Sequence, residues 1–420
     1  MDKITFVALR YGLDVNGGAE VHCRMLAERL SGFYEVEVLT SRIKNYKTLQ
    51  QEYPEGEEVI NNVKVKRFSS RPFDQKEYDT IWRKAKWSRK VRRMVYRMRM
   101  ASPVFDVFPV WNLGLENDIA LLKVSQFYSE DLIHYIKENH AQSKALIFFS
   151  YVSPYTFFGV HIAPGKSIII PTVHYHEGGI FHSMYSHLFS KAGHIAFNSA
   201  KEQLLARKIF SRKLAPNSIV AVGVDIAKAE DWIITKEKYK LPERYILYFG
   251  RVCESKMNDL TAYFTEYKSR YKEDDVKLVL TGGIFMPKVE HPDIIYTGFV
   301  SENEKTTLIQ NSLLVINPSK SESLSLLLLE AMELGKTALV NAACPVLKQH
   351  CVDSDFAALY YKNKKDFAEK LHYLISFPGV LEENSIKAKN YVKAKYDWNI
   401  ILNRLTNIID DLKQNETKHL

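Results

Sequence analysis

Two glutamates with seven residues between them, Glu322 and Glu330, mark the segment of this sequence best suited to chemistry. Asn317-Pro318-Ser319-Lys320-Ser321-Glu322-Ser323-Leu324-Ser325 follows a strand-like run and leads into an apolar helical stretch, Leu326 to Leu334, closed by Gly335. With Glu322 in the loop and Glu330 two turns into the helix, a rise of about 1.5 Å per residue separates the carboxylates by roughly 10 to 12 Å. That is about the reach from a sugar to the ribose of the nucleotide carrying it. Between them, the backbone N–H groups of Ser323, Leu324 and Ser325 stand at the expected helix start, where unpaired amides and the helix dipole favour a diphosphate.

Cations stand upstream. Tyr248-Phe249-Gly250-Arg251 ends a strand-like run and Lys256 follows it. Where a phosphorylated group departs, negative charge builds on its phosphates, and fixed cations aimed there stabilise the transition state. An isolated Arg and Lys are also an ordinary surface feature. Thr281-Gly282-Gly283 and Thr297-Gly298-Phe299-Val300 each follow a further strand-like run. Their glycines permit close approach of the backbone to a ligand, although each is also a common turn signal. In the first half, Asn16-Gly17-Gly18-Ala19-Glu20 opens a helix after the first strand, so the amides around Gly17 and Gly18 are placed to reach phosphates or sugar. Its spacing departs from G-x-G-x-x-G, which argues against a nicotinamide enzyme. Pro171-Thr172-Val173-His174-Tyr175-His176-Glu177 supplies two histidines, either of which is open to a structural reading. Alternate residues of an extended strand face opposite sides, so no metal is expected on His174 and His176.

These segments resemble the retaining family-4 glycosyltransferases, enzymes of the two-domain GT-B fold. The likeness is longest from Ser321-Glu322-Ser323-Leu324-Ser325 through Leu329-Glu330-Ala331-Met332 and Gly335 to Leu339-Val340-Asn341, around the family's E-x7-E motif. Gly250-Arg251 with Lys256 is similar to the family's Gly-Arg…Lys-Gly element, except that Met257 stands where glycine is usual. Gly17-Gly18-Ala19-Glu20 is similar to its Gly-Gly-x-Glu loop, and the segment from Pro171 to a Pro-Thr-x-His-Asp-Glu stretch, matching His174 to the family's histidine.

The resemblance implies a retaining transfer from a nucleotide-diphosphate-sugar. In that transfer Glu322 contacts hydroxyls of the moving sugar, Glu330 the ribose, and Arg251 with Lys256 the diphosphate. Gly282, Gly298 and Phe299 lie on the nucleotide side and His174 beside the anomeric centre. It further implies front-face attack with the leaving phosphate taking the acceptor's proton, and no metal or other cofactor. Two further readings stay open. A GT-B epimerase or phosphorylase would convert donor without acceptor or need inorganic phosphate, and a non-catalytic nucleotide-sugar-binding scaffold would release no nucleoside diphosphate. The motifs specify neither base nor sugar.

Parallel sheets are needed to position such residues. Short apolar runs alternate with helical segments in both halves. They run Ile4–Leu9, Val36–Leu39, Val63–Phe68, Ala145–Phe149, Ser167–Ile170, Ile195–Phe197 and Ile219–Val222 in the first half. In the second they run Tyr245–Phe249, Lys277–Leu280, Ile294–Tyr296, Leu313–Ile316, Ala338–Val340 and Ala358–Tyr361. The 420 residues, 46% of them hydrophobic, suffice for two cores. The expectation is an α/β chain of two Rossmann-like domains facing a central cleft. An acceptor-side domain spans 1–217, a donor-binding domain 218–395, and a crossover helix 396–420 packs back across both.

No stretch approaches the roughly 20 apolar residues of a membrane span. The four cysteines form no framework or zinc pattern, so a reduced cytoplasmic protein is expected. The net charge of +9 resides in the first half: residues 1–217 hold 31 Lys and Arg against 21 Asp and Glu, whereas 218–420 hold 27 against 28. The run Trp82 to Met100 carries Arg83, Lys84, Lys86, Arg89, Lys90, Arg92, Arg93, Arg97 and Arg99 and no acid. Val91, Met94, Val95 and Met98 fall at helical spacing among them, which predicts a basic amphipathic helix for an anionic membrane surface or acceptor. A solvated surface helix is the plainer alternative. No nucleic-acid module accompanies the patch, so nucleic acid is not expected.

Overall fold

A computed structural model describes residues 1–15, 17–45, 48–108, 110–174 and 178–416, with side chains described as far as residue 412. The chain divides into two compact units: residues 1–222 with 401–420, and residues 223–400.

The first unit is built on an eight-stranded sheet of order β3-β4-β2-β1-β5-β6-β7-β8. Its strands are β1 Lys3–Val7, β2 Glu35–Ser41, β3 Gly56–Ile60, β4 Val63–Phe68, β5 Ala145–Phe149, β6 Ser167–Ile170, β7 His194–Phe197 and β8 Asn217–Ile219. All neighbours are parallel except β3 and β4. The central strands are continuously apolar because helices cover both faces of a parallel sheet, and β5 and β6 are buried along their whole length. β3 departs from the expected strands. It is exposed, pairs antiparallel with β4 through Asn61 and Asn62 at positive φ, and is held by Glu57 to Lys64 and Lys66 and by Glu58 to Arg67. β8 begins before Ile219, and Ala221 at φ 64° turns the chain out of the ladder, although Val220, Ala221 and Val222 are buried.

The second unit carries a six-stranded, all-parallel sheet of order β11-β10-β9-β12-β13-β14. Its strands are β9 Tyr245–Phe249, β10 Lys277–Thr281, β11 Ile294–Gly298, β12 Leu314–Asn317, β13 Ala338–Asn341 and β14 Leu359–Tyr361. Its core joins Ile246 and Tyr248 of β9, Leu278 and Leu280 of β10, and Leu314 and Ile316 of β12 to Phe264, Phe367 and Leu371 from the covering helices. β9 has β10 on one side and β12 on the other, so chain order reverses between β9 and β12. The loops leaving these two strands therefore diverge and leave a crevice at their carboxyl ends.

Candidate functional site

Both loops at that crevice carry residues singled out by the sequence. From β9 the chain passes Gly250 (φ 136°) and the exposed Arg251, whose carbonyl accepts a 2.8 Å hydrogen bond from the Tyr248 hydroxyl. A short helix, Glu254–Met257, then presents Lys256. Met257 is buried in the core, and the left-handed turn falls at Asn258 (φ 47°), whose amide donates to the Pro318 carbonyl at 3.0 Å. Met257, where the resembled motif has glycine, is thus absorbed by packing, and the positive φ falls on the next residue.

From β12, Asn317 folds the second loop. Its Oδ1 accepts from the Ser319 amide at 3.1 Å, and its Nδ2 donates to Ser325 Oγ at 2.9 Å. The Ser325 hydroxyl accepts in turn from the Leu328 amide, capping the helix Leu326–Glu333. The helix begins after Ser325, so Ser323 and Leu324 precede it, and the first-turn amides belong to Leu326, Leu327 and Leu328, the third already capped. Ser325 takes φ 83°, a left-handed value unusual for a side-chain-bearing residue. A buried neutral imidazole helps hold it there: His350 Nε2 donates to the Leu324 carbonyl at 2.9 Å while Nδ1 accepts from the Tyr391 hydroxyl at 2.8 Å. Burial lowers the His350 pKa to about 4.

The two loops meet in an ion pair, Lys256 Nζ to Glu322 Oε1 at 2.6 Å, with side chains 25% and 15% exposed. Two residues 66 apart in sequence are thereby joined at the carboxyl ends of β9 and β12. A part-exposed pair of this kind can exchange partners with a ligand carrying both anionic and hydroxyl groups, because a phosphate compensates the lysine while sugar hydroxyls donate hydrogen bonds to a carboxylate that water still reaches. Glu330 also has a cation, one that no motif or spacing singles out. Lys305, on the helix Glu302–Asn311, lies 2.9 Å from Glu330 Oε2 and 2.6 Å from Glu302 Oε2.

Gly282 leaves β10 at φ 128°, and a Cβ on it would lie 2.0 Å from the Gly250 carbonyl oxygen. Its amide donates to the Gly298 carbonyl at 2.8 Å. The close approach that requires glycine here is to the β9 loop, so Gly282 shapes the site by packing one loop on another. Gly298 takes φ 74° with open space around it, and Phe299 beside it is exposed.

In the first unit, Gly17 caps the helix Gly18–Leu30 with an extended backbone, and a Cβ on it would lie 2.1 Å from Glu20 Oε2. Glu20 is held by Arg10 through Nε at 3.0 Å and Nη2 at 2.6 Å, and Arg10 Nη1 donates to the Lys44 carbonyl. The carboxylate lying over Gly17 therefore belongs to the protein, while Gly18 faces open space. His174 follows β6 and Thr172, which takes φ 55°. Its loop is tied by the buried Glu202, which accepts from the amides of Val173 and Asn198. His174 Nδ1 is buried without a hydrogen-bond partner among the described residues. Tyr175, His176 and Glu177 lie outside the described residues.

The basic helix forms over Gln75–Arg97, but its faces differ from those expected. Its buried positions are Ala85, Ser88 and Arg92, with Ser88 seated where a Cβ on Gly114 would lie only 2.7 Å away. Arg92 does not belong to an exposed patch. It is 1% exposed, donates to the His182 carbonyl at 3.0 Å and lies over the Phe105 and Phe210 rings, and burial lowers its pKa to about 9. Lys86 and Arg89 lie over the Trp82 ring. Arg83, Lys84, Lys90 and Arg93 are exposed, together with Trp87, Met94 and Met98, so two of the four expected stripe positions face outward. No helix among the described residues is long and apolar enough to cross a membrane.

Residues 243–376, inside the second unit, match the model of a family described as glycosyl transferases group 1. No curated protein sequence matches the chain significantly. Among solved structures it is similar to sucrose-phosphate synthase (tll1590) from Thermosynechococcus elongatus, with TM-score 0.69 and 13% identity over 99% of this chain and 100% of that one. It is similar to Anabaena Alr3699/HepE in complex with UDP and glucose, with TM-score 0.65 and 12% identity over 98% of this chain and 100% of that one. WaaG, a glycosyltransferase involved in lipopolysaccharide biosynthesis, matches with TM-score 0.64 and 11% identity over 96% of this chain and 99% of that one. The fold is GT-B, and the match to the group 1 glycosyltransferase model lies within its second unit.

Proposed function

We propose that the chain is a retaining, metal-independent glycosyltransferase that moves a sugar from a nucleotide-diphosphate-sugar to a glycan or lipid-linked glycan, in the assembly of a bacterial surface polysaccharide. The observation that carries the reading is the Lys256–Glu322 pair joining the loops after β9 and β12, with Glu330 on the helix that follows. Arg251 and Lys256 hold the diphosphate, Glu322, released by Lys256, takes the sugar hydroxyls, and Glu330 takes the ribose. The first-turn amides after Ser325 add their dipole to the phosphate site. Cations fixed there stabilise the leaving diphosphate, which itself receives the acceptor's proton. His174, with Gly17 and Gly18, belongs to the sugar side of the reaction in this reading.

The matched glycosyltransferase domain and the UDP complexes of HepE support a nucleotide-sugar donor. Calorimetric titration of UDP, GDP and ADP into the wild type and Glu330→Ala tests it. One nucleotide binding, with most of that affinity lost in the variant, is expected; equal binding by both proteins sinks the ribose assignment. Retention is read from the anomeric configuration of the product by NMR, and an inverted product refutes it. Metal independence predicts full turnover after exhaustive chelation, and lost turnover restored by a divalent cation contradicts it.

The exposed face of the Gln75–Arg97 helix, with Arg83, Lys84, Lys90 and Arg93 beside Trp87, Met94 and Met98, suits the anionic inner face of a cytoplasmic membrane. Co-sedimentation with phosphatidylglycerol-containing liposomes, lost when those four cations are neutralised, is the expected result. Sedimentation unchanged by the substitutions overturns it.

A further inference from the structure

The Glu330 carboxylate stands in an environment that works against its charge. Burial pushes its pKa up, and of the charged groups that bear on it Lys305 opposes that rise while Glu302 and Asp225 add to it. Asp225 is itself held by Trp398 Nε1 at 2.8 Å. Lys305 is 19% exposed in its side chain and Glu330 15%, so their contact is made where water screens it little. On the Lys305 side, burial disfavours the ammonium and the two glutamates outweigh it, leaving the pKa raised. Glu302 is 75% exposed and reaches the same ammonium from three residues earlier on its helix. The Phe249 ring at the end of β9 lies 5.8 Å from it.

We infer that Lys305 is a positioning residue for nucleotide binding, keeping Glu330 ionised and one of its oxygens occupied so that the carboxylate presents its remaining acceptor sites to the ribose diol. This rests on the ribose role proposed above for Glu330. An ionised carboxylate offers about four acceptor sites on two oxygens and can serve an ammonium and a pair of hydroxyls together, whereas a protonated one must donate at one of them. The ammonium reaches Oε2 at 2.9 Å as a compact point charge. Nothing in the linear sequence joins Lys305 to Glu330. The pairing arises because Lys305, on the helix after β11, reaches Glu330 on the helix after β12.

The test is calorimetric titration of UDP, GDP and ADP, followed by the tightest binder at several values between about pH 6 and pH 9, the range in which a buried carboxyl deprived of its cation would titrate. The proteins are the wild type, Lys305→Met, Lys305→Gln, Lys305→Arg, Glu302→Gln and Glu330→Gln, each checked for folding by its thermal melt. The wild type should bind with a nearly flat pH profile. Lys305→Met should bind roughly tenfold or more weakly at the acid end, the scale of a lost charge-assisted hydrogen bond, and recover as the pH rises and Glu330 ionises. Lys305→Gln, which keeps a donor without charge, carries the same expectation if the methionine variant fails to fold. Lys305→Arg should restore most of the affinity, and Glu302→Gln should stay within about twofold because its partner is a solvent-screened pair.

Wild-type affinity and a flat profile in the uncharged variants overturn the inference. Should Glu330→Gln weaken binding while those variants do not, the inference fails alone. Should Glu330→Gln also bind like the wild type, the ribose role of Glu330 fails first.

Discussion

At the carboxyl end of the second sheet, Lys256 meets Glu322 and Lys305 meets Glu330, so both glutamates expected to act are held by cations from other elements. In the first unit the corresponding pair is Arg10 with Glu20, folded over Gly17 and anchored again through the Lys44 carbonyl, while His174 Nδ1 has no described partner. The difference is one of what a ligand could displace. The Lys256–Glu322 pair is joined by one contact and is part-exposed, so an incoming diphosphate and sugar can replace each half. Arg10 is fixed at three atoms and nearly buried, which marks a scaffold for the loop. On the proposed reading the exchangeable pair of the second unit meets the diphosphate, while the Arg10–Glu20 pair of the first unit shapes the Gly17 loop.

The sharpest break between the units should come from removing a cation. Lys256→Ala should lower turnover roughly 100-fold or more, the cost of deleting a preorganised charge at a developing anion. Arg10→Ala should act mainly through loop stability and leave the nucleotide affinity within a few-fold. Steady-state release of nucleoside diphosphate, read beside calorimetry, separates the two, and equal losses of affinity would erase the distinction.

Acid should also divide the units. Burial lowers the pKa of His22 to about 3 and of His187 and His194 to about 4 in the first unit, against His350 alone at about 4 in the second. A histidine whose folded pKa lies below its unfolded value binds more protons when unfolded, so stability falls as the pH drops from about 6.5 toward 4. Each such group can contribute on the order of 3 kcal/mol across that window. Urea titrations at about pH 7 and pH 5, with brief proteolysis mapping the first segments to open, should find residues 1–222 opening first at the lower value. Second-unit cuts appearing first would contradict this.

Two glycines sharpen the comparison at smaller scale. Gly282→Ala places a Cβ against the fixed Gly250 carbonyl at a positive φ, and should cost about 1 to 3 kcal/mol and weaken nucleotide binding. Gly17→Ala meets only the end of the Glu20 side chain on an extended backbone, and should cost under about 1 kcal/mol. Chemical denaturation compares them, and similar losses would show that the Glu20 carboxylate is as immovable as a backbone. Smallest of all, Arg92→Met should leave liposome co-sedimentation unchanged, since Arg92 lies beneath the basic face.

The strands of both sheets were legible wherever burial on two faces makes a continuous apolar run. β3 was not, because Gly56-Glu57-Glu58-Val59-Ile60 is an exposed edge whose pairing rests on charges and on Asn61-Asn62 in left-handed conformations. Glu322, Glu330, Arg251 and Lys256 could be picked out because their spacing resembles a family's motifs and because each lies in the loop or first helix that follows a strand, a position that chain order fixes. Lys305 and His350 could not, since each acts on the site through a contact between elements that are remote in sequence. Arg92 misled for a related reason. The charge run reads as one exposed face, yet helical spacing with Ala85 and Ser88 carries this arginine into the core, where aromatic faces and a carbonyl receive it. Helical spacing alone could not reveal which stripe faces inward.

Hydrogen exchange with and without nucleotide tests most directly whether the second unit holds the donor. The measurement is made on the intact chain with millimolar UDP, GDP and ADP in turn. Slowed exchange in the segments 248–258 and 318–330 with at least one nucleotide is the predicted result. No protection with any of the three, or protection confined to residues 1–222, would contradict the account.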